Sequence, residues 1–198
     1  TYFCRLTRKM ESAVSKPDEA RESFRRLAEE ASVVARRLAK RSVAVGGETV
    51  PINLNAALFQ VHESLKQQFD ARNFTLTRCR LPVVQGQEES WSTVLSEVLD
   101  NAVIHGKRGG MVEVDCTEDA DHYHLLFSDD GPGVDTAHRK KIFTPFYKTP
   151  KPDNEQRSGL GLFNCSHIVR GWGGEIWAGQ SKHGGLAIHL TVPRGTSL

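Results

Sequence analysis

Two short glycine-containing segments constrain the fold and chemistry of the second half of this sequence. Asp129-Asp-Gly-Pro-Gly133 follows the hydrophobic residues Leu125–Phe127, which have the character of a strand. Ser158-Gly-Leu-Gly-Leu162 leads directly into the amphipathic segment Phe163–Arg170. Glycine lets a backbone approach a ligand closely, and N–H groups at the start of a helix can face an anion. The pair therefore indicates a pocket between a strand end and a helix start.

Strand and helix patterns alternate beyond Val45–Glu48, which we interpret as a domain boundary. Residues 48–198 are expected to form an α/β domain of the α+β kind, a two-layer sandwich in which a mixed sheet packs on about three helices. The last three strands are antiparallel candidates joined by short turns, which argues against a doubly wound parallel sheet. The predicted strands are Val50–Leu54, Phe74–Arg80, Met111–Thr117, His122–Ser128, Glu175–Ala178 and Leu186–Val192, and the predicted helices are Ala56–Phe69, Glu88–His105 and Gly159–Arg170.

The first 44 residues have a helical pattern of another kind. Apolar residues recur at spacings of three and four from Phe3 to Ala13 and from Ala20 to Leu38, which is typical of a heptad seam. A helix-start signal at Ser15–Glu19 separates the two runs, so residues 1–44 are predicted to form a helical hairpin. The second predicted helix, of about 26 residues, is about 12 residues, or about 18 Å, longer than the first, of about 14. We expect another chain or an upstream continuation to cover this excess; the alternative is packing on the second domain.

Composition excludes several classes of protein. A formal net charge of +2 favours no nucleic acid or other polyanion as a partner. No apolar run approaches the roughly 18–20 residues that span a bilayer, and no signal peptide heads the sequence. We therefore expect a cytoplasmic location, with membrane attachment only through regions further upstream. The four cysteines lack metal-ligand spacing and are interpreted as reduced.

The predicted helix Glu88–His105 has two different faces. Glu97, Asn101 and His105 follow one another at a spacing of four and therefore stack on one side. An Asn oxygen is a neutral ligand for a hard cation such as Mg²⁺, and a Glu carboxylate can orient water or accept a proton. This pattern favours a metal site and a catalytic role at Glu97 and Asn101; the alternative is a solvated helix face. The apolar side consists of Trp91, Val94, Leu95, Val98 and Ala102.

The Asp129–Gly133 segment has a ligand-binding and a structural interpretation. The ionised Asp129 carboxylate only accepts hydrogen bonds, so it can take the 6-amino donor of adenine, whereas guanine presents a carbonyl there. Gly131 and Gly133 permit close approach of a flat base. The alternative is a hairpin turn, for which Asp-Gly is a common dipeptide.

The stretch before the second glycine segment has the composition of a lid. Residues 148–157 are polar, contain proline and lack periodicity. Lys148, Lys151 and Arg157 supply cations within reach of a triphosphate, and Phe143–Phe146 would anchor the base of the lid. The alternative is an ordinary surface loop.

Together, in this order, these segments resemble the motifs of the catalytic, ATP-binding domain of bacterial two-component sensor histidine kinases. Glu97–Asn101 is similar to the N box, Asp129–Gly133 to the first glycine box, Phe143–Phe146 to the F box and Gly159–Leu162 to the second glycine box. The resemblance covers about residues 48–193. It implies the fold of the histidine kinase and gyrase ATPases, with ATP and Mg²⁺ as ligands.

The resemblance also implies a role for each matching residue. Asn101 would ligate Mg²⁺, Glu97 would assist phosphoryl transfer, and Asp129 would bind the adenine amine. Residues 1–44 would belong to a dimerisation and phosphotransfer hairpin that forms a homodimer, and a response-regulator receiver domain would be the downstream partner. The remaining nucleotide-binding residues are predicted to be His105, Gly131, Gly133, Phe146, Lys148, Ser158, Gly159, Leu160, Gly161 and Leu162.

Three departures from the family pattern bear on activity. Ile104 stands where a Lys or another cation is usual, so His105 or a lid cation must substitute, and Arg157 replaces a further glycine. No histidine precedes His62, which lies in a predicted helix without the flanking sequence of an acceptor. We therefore expect the phosphoacceptor histidine a few residues upstream of Thr1, in a longer kinase.

The leading hypothesis is transfer of the γ-phosphoryl group of ATP to a histidine outside this chain, and then to a response-regulator aspartate. One alternative is a catalytically silent nucleotide-binding scaffold, in which Ile104 and the missing acceptor are real losses. An ATP-driven clamp of the gyrase or mismatch-repair type would need a transducer domain after the pocket, yet the chain stops at Leu198. A serine kinase of the anti-sigma type fits poorly with the N-terminal seam.

Overall fold

The computed structural model describes residues 49–149 and 158–194. These residues belong to one structural unit, Glu48–Leu198. The hairpin predicted over residues 1–44 and the boundary predicted at Val45–Glu48 lie outside the described residues.

Strands and helices alternate through the described ranges. A short 3-10 helix, Lys141–Phe143, follows the third α-helix. The other elements are β1 (Val50–Asn53), α1 (Leu54–Arg72), β2 (Thr75–Arg78), β3 (Val83–Gly86), α2 (Glu88–His105), β4 (Met111–Glu118), β5 (His122–Asp129), α3 (Thr136–Arg139), α4 (Gly161–Gly171), β6 (Ile176–Gln180) and β7 (Leu186–Pro193).

Five of these strands form one mixed sheet in the order β2-β4-β5-β7-β6. β2 pairs with β4 in parallel, and the other neighbouring pairs are antiparallel. β1 and β3 form a separate antiparallel pair with Val50 opposite Gly86. The predicted mixed sheet with helices is confirmed. One detail was wrong: no short turn joins β5 to β6, because α3, the 3-10 helix and α4 lie between them in the chain.

The elements predicted within the described ranges are present, most of them with ends shifted by a few residues. The prediction of α2 matches both of its ends, because a long amphipathic period defines a helix well. β3 and α3 were missed, since each has four residues and neither shows a recognisable period. The helix predicted from Gly159 begins at Gly161.

The core lies between the sheet and the helices. α1 packs against α2, and α2 packs against α4. On the sheet, Val112 and Val114 of β4 and Leu125 and Phe127 of β5 are buried at alternate positions, as expected for one face of a strand. The five residues predicted for the apolar side of α2 are all buried, so this helix lies at the centre of the core. Within the described ranges, no helix has the length and hydrophobicity to cross a bilayer.

Trp91 fixes the start of α2. Its side chain is fully buried and stacks on Trp172, which follows α4, with the ring centroids 4.3 Å apart and an interplanar angle of 21°. Gly86 of β3 leaves space for the indole, since a Cβ atom there would lie 2.6 Å from Trp91 Nε1. The contact therefore joins α2, β3 and the end of α4.

Replacing Trp91 by alanine is expected to lower the free energy of unfolding by about 3–5 kcal/mol, because it leaves a cavity in the core. Equilibrium urea denaturation measures this change. Trp177, which is 37% exposed, provides the control. Trp177→Ala should change stability by about 1 kcal/mol or less. Equal losses in the two variants would contradict the structural role of Trp91.

Candidate functional site

One face of α2 connects the two glycine segments. Glu97 and Asn101 are half-buried and His105 is exposed at the end of the helix. Near one end of this stripe, Glu97 lies against Gly161, where an added Cβ atom would overlap its carboxylate. At the other end, a Cβ atom on Gly131 would lie 3.1 Å from the His105 carbonyl oxygen. The structure thus brings the predicted residues of three separate sequence segments to one surface.

Asp129 ends β5 as a buried carboxylate, with 8% of its surface exposed. Its Oδ1 atom accepts hydrogen bonds from the backbone N–H groups of Gly131 and Leu186, both at 2.9 Å. Burial raises the pKa of the Asp129 carboxyl, while these hydrogen bonds oppose the rise and the nearby Asp130 charge adds to it. Oδ2 accepts no hydrogen bond from the described part of the protein, so it can serve as an acceptor for a ligand.

The turn between β6 and β7 forms the second wall around Asp129, and the sequence analysis missed it. Gly185 touches the Asp129 side chain so closely that a Cβ atom there would overlap Oδ1. Gly133 has a φ of 67°, and a Cβ atom on it would lie 3.2 Å from the Gly185 carbonyl oxygen. The dipeptide Gly184-Gly185 before a strand was the available signal, but it is equally typical of a simple hairpin.

The second glycine segment is held by the residues of the predicted F box. Phe146 N–H donates to the Gly159 carbonyl at 3.0 Å, and a Cβ atom on Gly159 would lie 2.8 Å from the Tyr147 carbonyl oxygen. Gly159 has a φ of 67°, which explains why α4 begins two residues later than predicted. α4 therefore begins beside Glu97, and the N–H groups of its first turn can face an anion there.

The remaining predicted residues differ in what they can offer a ligand. Leu160 is buried and Leu162 packs against the core, so these two can contribute only backbone groups. Phe146 and Ser158 are half-buried, and Lys148 is exposed. These last three residues flank positions 150–157. The predicted lid cations Lys151 and Arg157 lie outside the described residues.

A shallow cavity of about 440 Å³ opens at the His105 end of the stripe. Its volume falls within the range of small-molecule sites. Two predicted site residues, His105 and Gly131, line it, and so does Lys107, whose Nζ lies 3.6 Å from Asp130 Oδ2. The lining residues are His105, Gly106, Lys107, Asp130, Gly131, Pro132, His183 and Gly184.

Arg72 positions the end of α2 and was also missed from the sequence. Its guanidinium donates to the carbonyl oxygens of Ile104 at 2.9 Å and Gly106 at 2.7 Å. A cation at a helix C-terminus complements the helix dipole and satisfies otherwise free carbonyl groups. Arg72 ends α1, so the contact depends on chain segments far apart in sequence.

The donors on α2 fit a hard cation with few protein ligands. Glu97 and Asn101 offer carboxylate and carboxamide oxygens one helical turn apart. In the described ranges, no group of three or more His, Cys, Asp or Glu side chains converges on a metal-binding point. A Mg²⁺ ion held here would therefore complete its shell with phosphate oxygens and water, as Mg²⁺ usually does.

The fold and the site together define a nucleotide-binding two-layer sandwich. The sequence matches the family of histidine kinase-, DNA gyrase B- and HSP90-like ATPases over residues 86–196. This match covers more than half of the chain, so the protein belongs to that family.

Similar proteins narrow the relationship to sensor kinases and confirm the resemblance stated from the motifs. The adaptive-response sensory kinase SasA of Trichormus variabilis is 32% identical over 114 residues, covering 57% of this chain and 28% of that protein. The sensor protein SrrB of Staphylococcus aureus is 27% identical over 198 residues, covering 93% of this chain and 34% of that protein. The chain thus spans about a third of the length of these curated relatives.

A solved structure supports the same relationship. The mycobacterial sensor histidine kinase MprB superposes with a TM-score of 0.62 and 25% sequence identity. The match covers 74% of this chain and 97% of that structure.

Replacing Asp129 by asparagine is expected to preserve or increase stability at pH 7. The folded-state pKa of Asp129 lies above its ordinary value of 3.8. The protonated carboxyl therefore stabilises the fold, and this contribution is lost as the pH rises through the folded-state pKa. Asparagine does not ionise, so the variant does not lose stability in this way as the pH rises. Its side-chain oxygen can still accept the hydrogen bonds from Gly131 and Leu186. Thermal unfolding of both proteins from pH 4 to pH 7 measures the difference. A variant destabilised mainly at pH 7 would contradict this account.

Proposed function

We propose that this chain is the ATP-binding kinase part of a sensor histidine kinase. The observation that carries the proposal is the stripe of Glu97, Asn101 and His105 on α2. This stripe runs from the start of α4 to the segment that contains Asp129 and Gly131. At 1.5 Å per residue, the stripe from Glu97 to His105 is about 12 Å long. This separation allows one nucleotide to place its base at one end and its phosphates at the other.

Adenine binding is supported by Asp129 Oδ2, which accepts no hydrogen bond from the described residues. Because Oδ1 already accepts two backbone hydrogen bonds, the carboxylate is held in one orientation. Oδ2 can then accept the 6-amino group of adenine, a donor that guanine lacks at this position. Gly131 and Gly133 would line the base pocket beside it.

Phosphate and Mg²⁺ binding are supported by the other end of the stripe. Gly159, Gly161 and the first N–H groups of α4 would face the phosphates, with the positive end of the helix dipole toward them. Asn101 would ligate Mg²⁺ between Glu97 and the base pocket. Lys148, Ser158 and His105 would supply further polar contacts to the nucleotide.

In the proposed transfer step, an imidazole nitrogen of the acceptor histidine forms a bond to the γ-phosphorus. The bond from that phosphorus to the β–γ bridging oxygen breaks, and ADP leaves. Glu97 would lie at the phosphate end, where its carboxylate would accept the proton released from the imidazole. The protein would contribute mainly positioning and charge neutralisation.

The wider context is part of the proposal. Residues 1–44 would form part of the dimerisation hairpin and residues 48–198 the ATP-binding domain, in a homodimer with a cytoplasmic kinase region. A response-regulator aspartate would receive the phosphoryl group from the histidine.

Phosphorylation of a polypeptide extended upstream to include the acceptor tests the proposal. With γ-labelled ATP and Mg²⁺, the protein should acquire an acid-labile, alkali-stable label. Asn101→Ala should abolish the label, because the metal loses the Asn101 oxygen as a ligand. The affinity of this variant for the Mg²⁺–ATP complex should fall by more than about tenfold. Asn73→Gly is the control, since Asn73 has a φ of 51° that glycine adopts readily.

The other outcomes separate the alternative functions. Steady ATP hydrolysis without a label would favour the clamp ATPase. Nucleotide binding with neither label nor hydrolysis would favour the silent scaffold. A full label on Asn101→Ala would contradict the assigned metal role.

Asp129→Asn is expected to weaken ATP binding by about tenfold or more, because an NH₂ donor or a neutral oxygen replaces the charged acceptor. Isothermal titration with ATP and GTP measures the effect. Adenine preference should fall in the variant, and an unchanged preference would contradict the role of Asp129.

A further inference from the structure

We propose that Gln180 is a positioning residue for base recognition. It acts on Asp129 through the turn between β6 and β7, residues 181–185, which we call the β6–β7 turn. This inference rests on the proposed function of Asp129 as the acceptor for adenine. Gln180 lies outside the four motifs found in the sequence.

The Gln180 side chain joins two separate elements. Its Nε2 donates to the carbonyl oxygens of Gly184 at 2.8 Å and Gly185 at 3.2 Å. Its Oε1 accepts from Arg139 Nη2 at 2.7 Å. Arg139 ends α3 and also donates through Nε to the Val134 carbonyl at 3.1 Å. The primary amide thus uses both its donor and its acceptor to connect the β6–β7 turn with α3.

The two carbonyl groups that Gln180 holds belong to the wall of the base pocket. A Cβ atom on Gly133 would lie 3.2 Å from the Gly185 oxygen and 3.4 Å from the Gly184 oxygen. Gly185 also touches the Asp129 carboxylate. The next residue, Leu186, donates its N–H to Asp129 Oδ1. A shift of this turn would therefore change the orientation of the carboxylate.

The same turn also makes charged contacts through Lys182 and His183. Lys182 Nζ is 3.0 Å from Glu113 Oε2 and 3.1 Å from Asp115 Oδ2, and Lys182 is 54% exposed. His183 Nε2 also contacts Glu113 Oε2, at 2.6 Å. These contacts hold side chains of the turn, and the exposed Lys182 pairs contribute little to its position. The Gln180 amide differs from them because it bonds directly to two backbone carbonyl groups of the pocket wall.

Gln180→Glu is the sharpest test of this role. Glutamate keeps the size of the side chain and an oxygen for Arg139. It lacks the N–H donors and places a negative oxygen against the Gly184 and Gly185 carbonyls. We expect the preference for ATP over GTP, measured as a ratio of dissociation constants by isothermal titration, to fall about tenfold. Gln180→Ala, which removes the amide without adding charge, should also lower the preference for ATP over GTP.

The ratio separates positioning from a general structural role. A smaller fraction of folded protein would weaken ATP and GTP binding by the same factor and leave the ratio unchanged. Gln85→Glu, an exposed position on β3, makes the same change of charge and should keep the wild-type ratio. Thermal unfolding of each variant confirms that the proteins compared are folded.

Asp129→Asn distinguishes failure of this inference from failure of the proposed function. If the wild type prefers ATP and Asp129→Asn loses the preference, but both Gln180 variants retain it, the role of Gln180 is overturned alone. If the wild type shows no preference, or Asp129→Asn keeps it, the role of Asp129 is overturned and that of Gln180 with it.

Discussion

The rest of the site depends on the buried Asp129 carboxylate and its backbone hydrogen bonds. A buried carboxylate needs hydrogen-bond donors, and here Oδ1 accepts from two backbone N–H groups of separate chain segments. The N–H of Gly131 lies just beyond β5, and that of Leu186 begins β7. This requirement explains why Gly185, which must pass against the carboxylate, has no space for a side chain. A single polar group thus determines the path of two chain segments.

α2 combines the core and the candidate site in one helix. Its apolar side packs under the sheet and against α1 and α4, so the helix has little freedom to move. The neighbouring stripe carries Glu97, Asn101 and His105 between the two glycine segments. Rigid packing of the apolar side therefore preorganises the polar groups beside it, which suits a site that acts mainly by positioning its ligand.

Sequence patterns predicted elements of this protein with unequal success. Both ends of α2 were predicted correctly, because an amphipathic period that continues over eighteen residues is a strong signal for a helix. β3 was missed because Val83–Gly86 becomes a strand through its pairing with β1 rather than through its own pattern. The start of α4 was predicted at Gly159, but the contact of Gly159 with Phe146 and Tyr147 requires a positive φ there. Arg72, Gln180 and Gly185 were missed since their partners lie far away in the sequence.

By itself the sequence determined the two-layer sandwich and the positions of the glycine segments, because periodicity and glycine placement are local properties of a chain. The four motifs, in their order, carried the resemblance to the family. The sequence also identified Glu97 and Asn101 as one helical face, since a spacing of four is enough for that conclusion. Only the tertiary structure decided that this face runs between Gly161 and Gly131, and that the β6–β7 turn closes around Asp129. Those relations arise from long-range backbone hydrogen bonds and close packing, which depend on how distant segments meet when the core forms.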